Sequence, residues 1–500
     1  MLTLPAAFTQ SMRHLLGQEA FGRLQVALDG DAPVSLRLNP ARRPDGLVRP
    51  TDRVPWAAEG YYLAGRPAFT FDPLWHAGCY YVQEASSMFL EQVLRRYVTG
   101  PVRMLDLCAA PGGKSTHARS LLPEGSLLVA NEVIRSRAQV LAENLTRWGH
   151  PDVVVTSSDP AAFGALEGMF DVILADVPCS GEGMFRKDAA AISQWSPEAV
   201  RLCASRQRRI VADAWPALRP GGLLIYSTCT FNIHENEENV RWICSELGAE
   251  PLAVDVPGAW QVTGSLLHAL DAEPALLAYR FLPHLVRGEG LFMAVMRKAG
   301  EGDADGSADE VRTAERLSRD GRSAARLPRP DGKRKSAKGT GTGSTTAPSP
   351  AAARAVADAW LAASARYEVV GDGTRFAAIA RTWLADLAAL RQAVHVLQAG
   401  IPLAEVRGRE LMPTQALALS TALRADAFPR AALDYRQALA YLRRESVALP
   451  GTTPRGPVLV TYRTVPLGFV HNLGTRSNNL YPQPWRIRTT YLPDTEVRVV

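Results

Sequence analysis

The chain has 500 residues, 47% of them hydrophobic and 21% charged, which suits two or three soluble domains rather than one. No stretch approaches the roughly 20 apolar residues of a membrane span, and Met1–Gly17 lacks a basic head followed by a long apolar run; a cytoplasmic protein with no membrane partner is expected. The net charge of +6 is uneven: residues 351–500 carry 18 Lys and Arg against 11 Asp and Glu, whereas residues 1–300 carry 28 against 31.

In chain order, Pro33–Pro40 (PVSLRLNP) reads as a strand of alternating character, followed by the aromatic-rich Trp56–Trp75. Arg37 and Asn39 suit phosphate contacts or ordinary surface roles equally. From Val102 onward, aliphatic runs alternate with helical stretches. Strands are expected at Val102–Leu107, Leu127–Ala130, Val153–Thr156, Val172–Ala175 and Leu223–Tyr226. Helices are expected near Ile134–Trp148 and Pro197–Leu218, the second closed by Arg219-Pro220-Gly221-Gly222. Such alternation predicts a mostly parallel, doubly wound α/β sheet, whose ligands bind beyond the carboxyl ends of the strands.

The first of those strand ends carries Asp106-Leu107-Cys108-Ala109-Ala110-Pro111-Gly112-Gly113-Lys114-Ser115. Gly112 and Gly113 permit a tight turn and close approach to a ligand. The spacing is neither that of a P-loop nor that of a dinucleotide fingerprint. Glu132 ends the second strand, where a carboxylate can accept hydrogen bonds from ribose hydroxyls. Asp159 follows the third, within reach of an adenine amino group, and Asp176 ends the fourth. A nucleoside-bearing cofactor without a triphosphate fits this set; a plain strand-to-helix turn with loop acids is the bland alternative.

Six cysteines occur, at 79, 108, 179, 203, 229 and 244, and none forms a C-x-x-C pair, so neither a zinc site nor a thioredoxin-like motif is expected and no metal is assigned. Cys203 and Cys244 fall in helical stretches and read as small buried hydrophobes. Cys179 and Cys229 differ. They stand in loops, DVPCSGEGMFRK and YSTCTF, that follow strands of one sheet and so should face one crevice. Only six of the 56 basic residues are Lys, and two of those, Lys114 and Lys187, stand in these segments.

Residues 300–350 are rich in Gly, Ser, Thr, Pro and mixed charge and read as a flexible linker. Beyond it, short strands at Val458–Tyr462 and Leu467–Val470 lead to NNLYPQPWRI. Basic and aromatic residues here suit an RNA-binding barrel-like domain; a merely solvated basic surface is the other reading. Arg407, Arg409, Arg476, Arg486 and Tyr481 are the candidate contacts.

The segments CAAPGGKS, DVPCSGEGMFRK and STCTF resemble the signature motifs of the RNA cytosine carbon-5 methyltransferase family, most closely its bacterial small-subunit ribosomal RNA type. Gln83–Met88 resembles the family's segment before the cofactor domain. Arg280, Pro283, His284 and Gly288-Glu289-Gly290 resemble its final strand region, so the likeness spans about residues 75–297. It implies a Rossmann-like methyltransferase domain at 96–299, preceded by a small N-terminal α/β domain at 1–95 and followed by a PUA-like RNA-binding domain at 351–500. It implies S-adenosyl-L-methionine as cofactor, held by Cys108, Ala109, Ala110, Pro111, Gly112, Gly113, Lys114, Glu132, Asp159 and Asp176. It implies Cys229 as nucleophile, Cys179 as the residue that assists its release, Asp176 as the group at ring nitrogen 3, and Lys114 as an ordering residue. The partner implied is 16S ribosomal RNA or the small subunit, bound by a monomer. A tRNA cytosine methyltransferase and a non-catalytic ribosome-assembly protein remain as alternatives.

Overall fold

The computed structural model describes residues 2–267, 276–300 and 350–500. The linker expected at 300–350 lies outside the described residues except for Gly300 and Pro350.

The N-terminal part opens with a helix over Ala6–Asp29, broken at Gly17, where φ is +79°. Three antiparallel strands follow: β1 (Val34–Leu38), β2 (Gly60–Leu63) and β3 (Tyr80–Val82), in the order β2-β1-β3. A helix at Leu90–Tyr97 then leads into the large sheet.

That sheet is built on five parallel strands: β4 (Arg103–Asp106), β5 (Leu127–Asn131), β6 (Val153–Thr156), β7 (Phe170–Asp176) and β8 (Leu218–Thr228). Three antiparallel strands extend it on one side: β9 (Ala249–Pro251), β10 (Tyr279–Phe281) and β11 (Leu291–Lys298). The order in which strands are added reverses between β4 and β7, which pair side by side in parallel and leave their crossover helices on opposite faces. That switch point opens a crevice at the carboxyl ends of the strands. Val, Leu and Ile saturate these strands because both faces are covered, one by each of two cores. The helix expected at Pro197–Leu218 ends at Ala214. Leu218 already pairs with Phe170, and Arg219–Gly222 bulges out before pairing resumes at Leu223. Gly221, at φ +73°, makes that bulge possible.

The C-terminal part forms two further sheets. The first is β12 (Tyr367–Gly371), β13 (Arg375–Ala380), β15 (Ile401–Arg407) and β16 (Glu410–Pro413), packed under a helix at Pro350–Trp360. The intervening β14 (Val396–Ala399) leaves that sheet and pairs antiparallel with β6. It thereby covers what would otherwise be a bare edge of the large sheet. The second sheet is β17 (Arg430–Ala432), β18 (Gly456–Tyr462), β19 (Val465–Asn472) and β20 (Ser477–Asn479). Its apolar residues share one core with the N-terminal sheet, Leu36 and Tyr80 meeting Val460, Leu467 and Tyr481. The small N-terminal sheet and the last C-terminal sheet are thus packed together. No helix among the described residues is long and apolar enough to cross a membrane.

Candidate active site

Asp176 is the last residue of β7, and the parallel register sets it beside Ser227 of β8. Ser227 Oγ donates to one carboxylate oxygen at 2.7 Å. Lys114 Nζ donates to the other at 2.9 Å from the first turn of the helix Gly113–Leu121. Both oxygens are therefore fixed, while the side chain stays 32% exposed and open to a ligand. Burial pulls the Lys114 ammonium down, but the charges of Asp176, Cys229 and Glu84 outweigh it and hold it above its ordinary value.

Cys179 and Cys229 meet beside this pair, their sulfurs 3.2 Å apart and both thiols free. Cys179 is pushed well above the ordinary thiol range, first by its hydrogen bond with Cys229 and then by burial.

Two buried carboxylates set the loops that carry these thiols. Glu235 accepts from the Ser180 N–H at 2.9 Å and from Gln207 Nε2 at 2.7 Å, and Gln207 also donates to the Pro178 carbonyl at 3.0 Å. Glu182 accepts from the N–H groups of Phe231 and Asn232 at 2.6 and 2.9 Å, and from Trp195 Nε1 at 3.0 Å. Between them Asn232 donates to both carboxylates, at 3.1 and 2.8 Å. Gly183 donates to the Cys229 carbonyl at 2.9 Å. A Cβ at 183 would lie 2.8 Å from that carbonyl and 2.9 Å from that of Glu289, so only glycine fits. The N-terminal helix backs this arrangement, with Phe8 5.2 Å from Phe185 and 5.7 Å from Trp195, ring to ring. Glu182 and Ser227 stand inside the motifs GEGMFRK and YSTCTF, where the sequence alone assigns them no role, and Asn232 and Glu235 lie outside those motifs. The signal for them is a polar Asn-x-x-Glu directly after a Thr-Cys loop, where backbone donors need acceptors.

On the other side of Lys114, the turn Cys108–Gly113 is strapped to its neighbours. Ala109 N donates to the Asn131 carbonyl at 2.8 Å, Arg137 to the Ala110 carbonyl at 3.0 Å, and Asn144 to the Pro111 carbonyl at 2.8 Å. Gly112 sits at φ +114°, which a side chain resists, and its Cβ would also press on Leu141 at 3.3 Å. Glu132, 3% exposed, accepts from Ile134 N at 2.9 Å and pairs with Arg137 at 3.1 Å. Burial pushes the Cys108 thiol up, and the charges of Asp106, Asp176 and Glu132 push it further. Three carboxylates thus surround one turn, a donor set that suits a cationic ligand. Asp159 stands apart: it is exposed and caps the turn at Pro160–Ala165 through the Ala161 N–H at 3.1 Å.

Among the other expected residues, Lys187 pairs with Glu289 rather than standing free. Cys203 and Cys244 lie in helices as expected, but each is only partly buried. Arg37 and Asn39 are corrected as phosphate contacts, since each is 1% exposed. Arg37 donates to Gln83 at 2.8 Å and Thr116 at 2.7 Å, and its guanidinium lies over the Trp148 ring. Asn39 donates to the carbonyls of Gly78 and Trp148. Tyr481 is likewise 1% exposed, its hydroxyl 3.2 Å from His76, so its ring cannot stack on a base. Arg407, Arg409, Arg476 and Arg486 are exposed. Among the described residues no group of three or more His, Cys, Asp or Glu is arranged to hold a metal ion.

Three family models match: "16S rRNA methyltransferase RsmB/F" over residues 99–297, "N-terminal domain of 16S rRNA methyltransferase RsmF" over 4–85, and "Methyltransferase RsmF PUA domain" over 428–487. The chain is 41% identical to ribosomal RNA small subunit methyltransferase F of Serratia proteamaculans, over 49% of this chain and 51% of that one. It is 33% identical to the protein of the same name from Klebsiella pneumoniae, over 86% and 83%. Against that from Erwinia tasmaniensis it is 30% identical over 96% of both chains. The first match therefore spans about half of each chain and the last nearly all. Among solved structures, PH0851 shares the fold, with a TM-score of 0.51 and 23% identity over 59% of this chain and 66% of that one.

Proposed function

The chain belongs to the ribosomal RNA small subunit methyltransferase F family, and from that premise we propose that it methylates carbon 5 of a cytosine in 16S ribosomal RNA, with S-adenosyl-L-methionine as donor. The observation that carries the reading is the meeting of two free thiols, 3.2 Å apart, beside the Lys114–Asp176 pair. We read residues 1–95, 96–299 and 351–500 as its N-terminal, methyltransferase and RNA-binding domains, with 300–350 as the linker.

When bound, the cofactor supplies an electrophilic methyl on a positively charged sulfur. Cys108 to Gly113, Lys114, Glu132 and Asp176 are the residues for it, and the three carboxylates around that turn suit its charge. Asp159, which stands apart and caps the turn at Pro160–Ala165, is left with an adenine amino group as its only role toward the cofactor.

Carbon 5 of cytosine is a weak nucleophile. The thiolate of Cys229 forms a bond to carbon 6, and electron density moves to carbon 5. Nitrogen 3 takes up a proton as the sulfur adds, and Asp176, held by Lys114 and Ser227, accepts the hydrogen bond of the N–H so formed. After the methyl has been added, a water molecule takes the carbon-5 proton, the freed electron pair restores the carbon 5–carbon 6 double bond, and the carbon–sulfur bond breaks with Cys229 leaving as thiolate. Cys179, against the Cys229 sulfur, assists that release. Because Lys114 and Ser227 occupy both Asp176 oxygens on the protein side, the carboxylate meets the base already oriented.

The test is transfer of labelled methyl to purified 16S ribosomal RNA and to small subunits, followed by bisulfite mapping. Label at carbon 5 of one or a few cytosines is expected. Label on tRNA alone would redirect the substrate, and binding without transfer would favour an assembly role.

A further inference from the structure

A cavity of about 740 Å³ opens between the two C-terminal sheets, far along the chain from the thiols. Its apolar floor includes Trp360, at the end of the helix Pro350–Trp360, and Phe428, just before β17, with ring centroids 5.2 Å apart. Its rim carries Arg409, Arg455 and His471. The positions of these groups follow from local structure. Arg409 sits in the two-residue turn between β15 and β16, where Gly408 takes φ +65° and Arg407 pairs with Glu410. Arg455 precedes β18 and lies over Gly474, where an added Cβ would meet its Nε at 3.0 Å. His471 is on β19, and its Nδ1 is buried with no hydrogen-bond partner. Neither arginine takes part in a described ion pair or hydrogen bond, although most arginines of this chain do. One carboxylate, Glu410, faces the same space.

The geometry points to a binding site here for a nucleotide of single-stranded RNA, separate from the cytosine being methylated. The inference rests on the reading of the chain as an RNA methyltransferase and adds where a second stretch of the RNA is held. Two unpaired guanidinium groups at the rim match two phosphates. The Trp360 and Phe428 rings offer apolar surface for a base, and bases stack on aromatic rings whatever their identity. The His471 ring, which lines the same space, offers a partner for a base edge or a ribose hydroxyl. The volume falls within the range of small-molecule sites. A peptide would use the floor but leave two cations without a counter-charge.

The experiment uses the full chain and a short single-stranded oligouridylate carrying one 4-thiouridine and a fluorescent end. Binding by anisotropy is compared between the native protein, the double variant Arg409→Ala/Arg455→Ala, and Arg391→Ala, an exposed arginine elsewhere on the surface. The double variant should weaken binding about tenfold and reduce the salt slope by about 1.4, the value for two phosphate contacts on a single strand; Arg391→Ala should change neither. Photo-crosslinking of the native protein should label peptides holding Trp360 or His471, a readout that does not depend on how a variant folds. Crosslinks confined to other segments, or an unchanged affinity and salt slope in the double variant, would overturn the site. Methyl transfer is measured separately. Crosslinks at the cavity without any transfer would leave the site standing and defeat the enzymatic reading, and transfer without those crosslinks would do the reverse.

Discussion

The sulfurs of Cys179 and Cys229 lie 3.2 Å apart although 50 residues separate them in the chain. Parallel pairing of β7 with β8 makes this possible, because it brings two successive loops out over the same end of the sheet. Removing Cys229 should abolish methyl transfer, since the neighbouring Cys179 thiol is pushed well above the ordinary range by its hydrogen bond with Cys229 and by burial and makes a poor replacement nucleophile. Removing Cys179 should leave addition intact and stall release. The expected outcome for Cys179→Ala is a protein–RNA adduct that survives denaturing electrophoresis and requires both RNA and cofactor; for Cys229→Ala it is no adduct and no product. Equal loss in both variants without an adduct would contradict the division of labour.

Glu182 controls the loop after Cys229 without being one of the reacting groups. It is fully buried and accepts from two backbone N–H groups and one indole. Glu182→Gln keeps the size but leaves one oxygen to do the work of two and turns an N–H toward donors. Each buried donor left unpaired costs about 1–3 kcal/mol. The turnover rate should fall at least tenfold while cofactor affinity, measured by calorimetry, stays within about twofold, because the cofactor turn is strapped by other residues. A matching loss of cofactor affinity would mean that Glu182 holds the whole fold and not the loop.

How far this site was legible in the sequence depends on what each residue answers to. Lys114, Asp176, Cys179 and Cys229 could be read because each stands in a motif at a strand end, and the doubly wound sheet sends all strand ends to one side. Glu182, Asn232 and Glu235 answer instead to backbone N–H groups in loops whose path no periodicity reveals. Arg37 shows the opposite failure. An arginine on an alternating strand reads as surface, yet Gln83, Thr116 of one helix and Trp148 of another close around it, and burial lowers its guanidinium to about 9. β14 was invisible for the same reason, since its partner β6 lies about 240 residues earlier and nothing in VLQA announces it.

Asp106 should make the proposed cofactor site sensitive to pH. Burial lifts its carboxyl from 3.8 to about 7; Ser115 opposes this through a 2.6 Å hydrogen bond, and Asp176 adds to it. A raised carboxyl stabilises the fold fully below the unfolded value, and that contribution is lost as pH climbs from about 4 through about 7. A cation placed beside Asp106 favours its charged form, so binding a positively charged cofactor should release a proton in this window. Affinity for S-adenosyl-L-methionine should rise up to about tenfold between about pH 6 and pH 8. Asp106→Asn, which can still accept from Ser115, should flatten that slope. Calorimetry in buffers of different ionisation enthalpy reads the proton directly; an unchanged slope in the variant would assign the pH dependence elsewhere.

Arg147 joins three parts of the chain at one point. Its guanidinium lies 4.7 Å from the Trp75 ring of the N-terminal part and 5.0 Å from the Trp485 ring near the C-terminus, and it also pairs with Glu143. The backbone is equally tight here, for a Cβ at Gly78 would come within 2.0 Å of the Arg147 carbonyl. Each desolvated cation–π contact contributes about 0.5–2 kcal/mol. Arg147→Met fills the space but loses both contacts, and it leaves Glu143 without its partner in surroundings that already push its carboxyl up by burial. The variant should lose about 2 kcal/mol and melt several degrees lower. Trp485→Leu should lose less, and the double variant should fall short of the sum by about 1 kcal/mol, since the second change removes a contact already gone. Hydrogen exchange should show the loosening at the C-terminal sheet, around β18 and β19, while β4 and β7 keep their protection. Strict additivity of the two changes would show that Trp485 and Arg147 are neighbours without being energetically coupled, and that the C-terminal sheet is held by the shared apolar core alone.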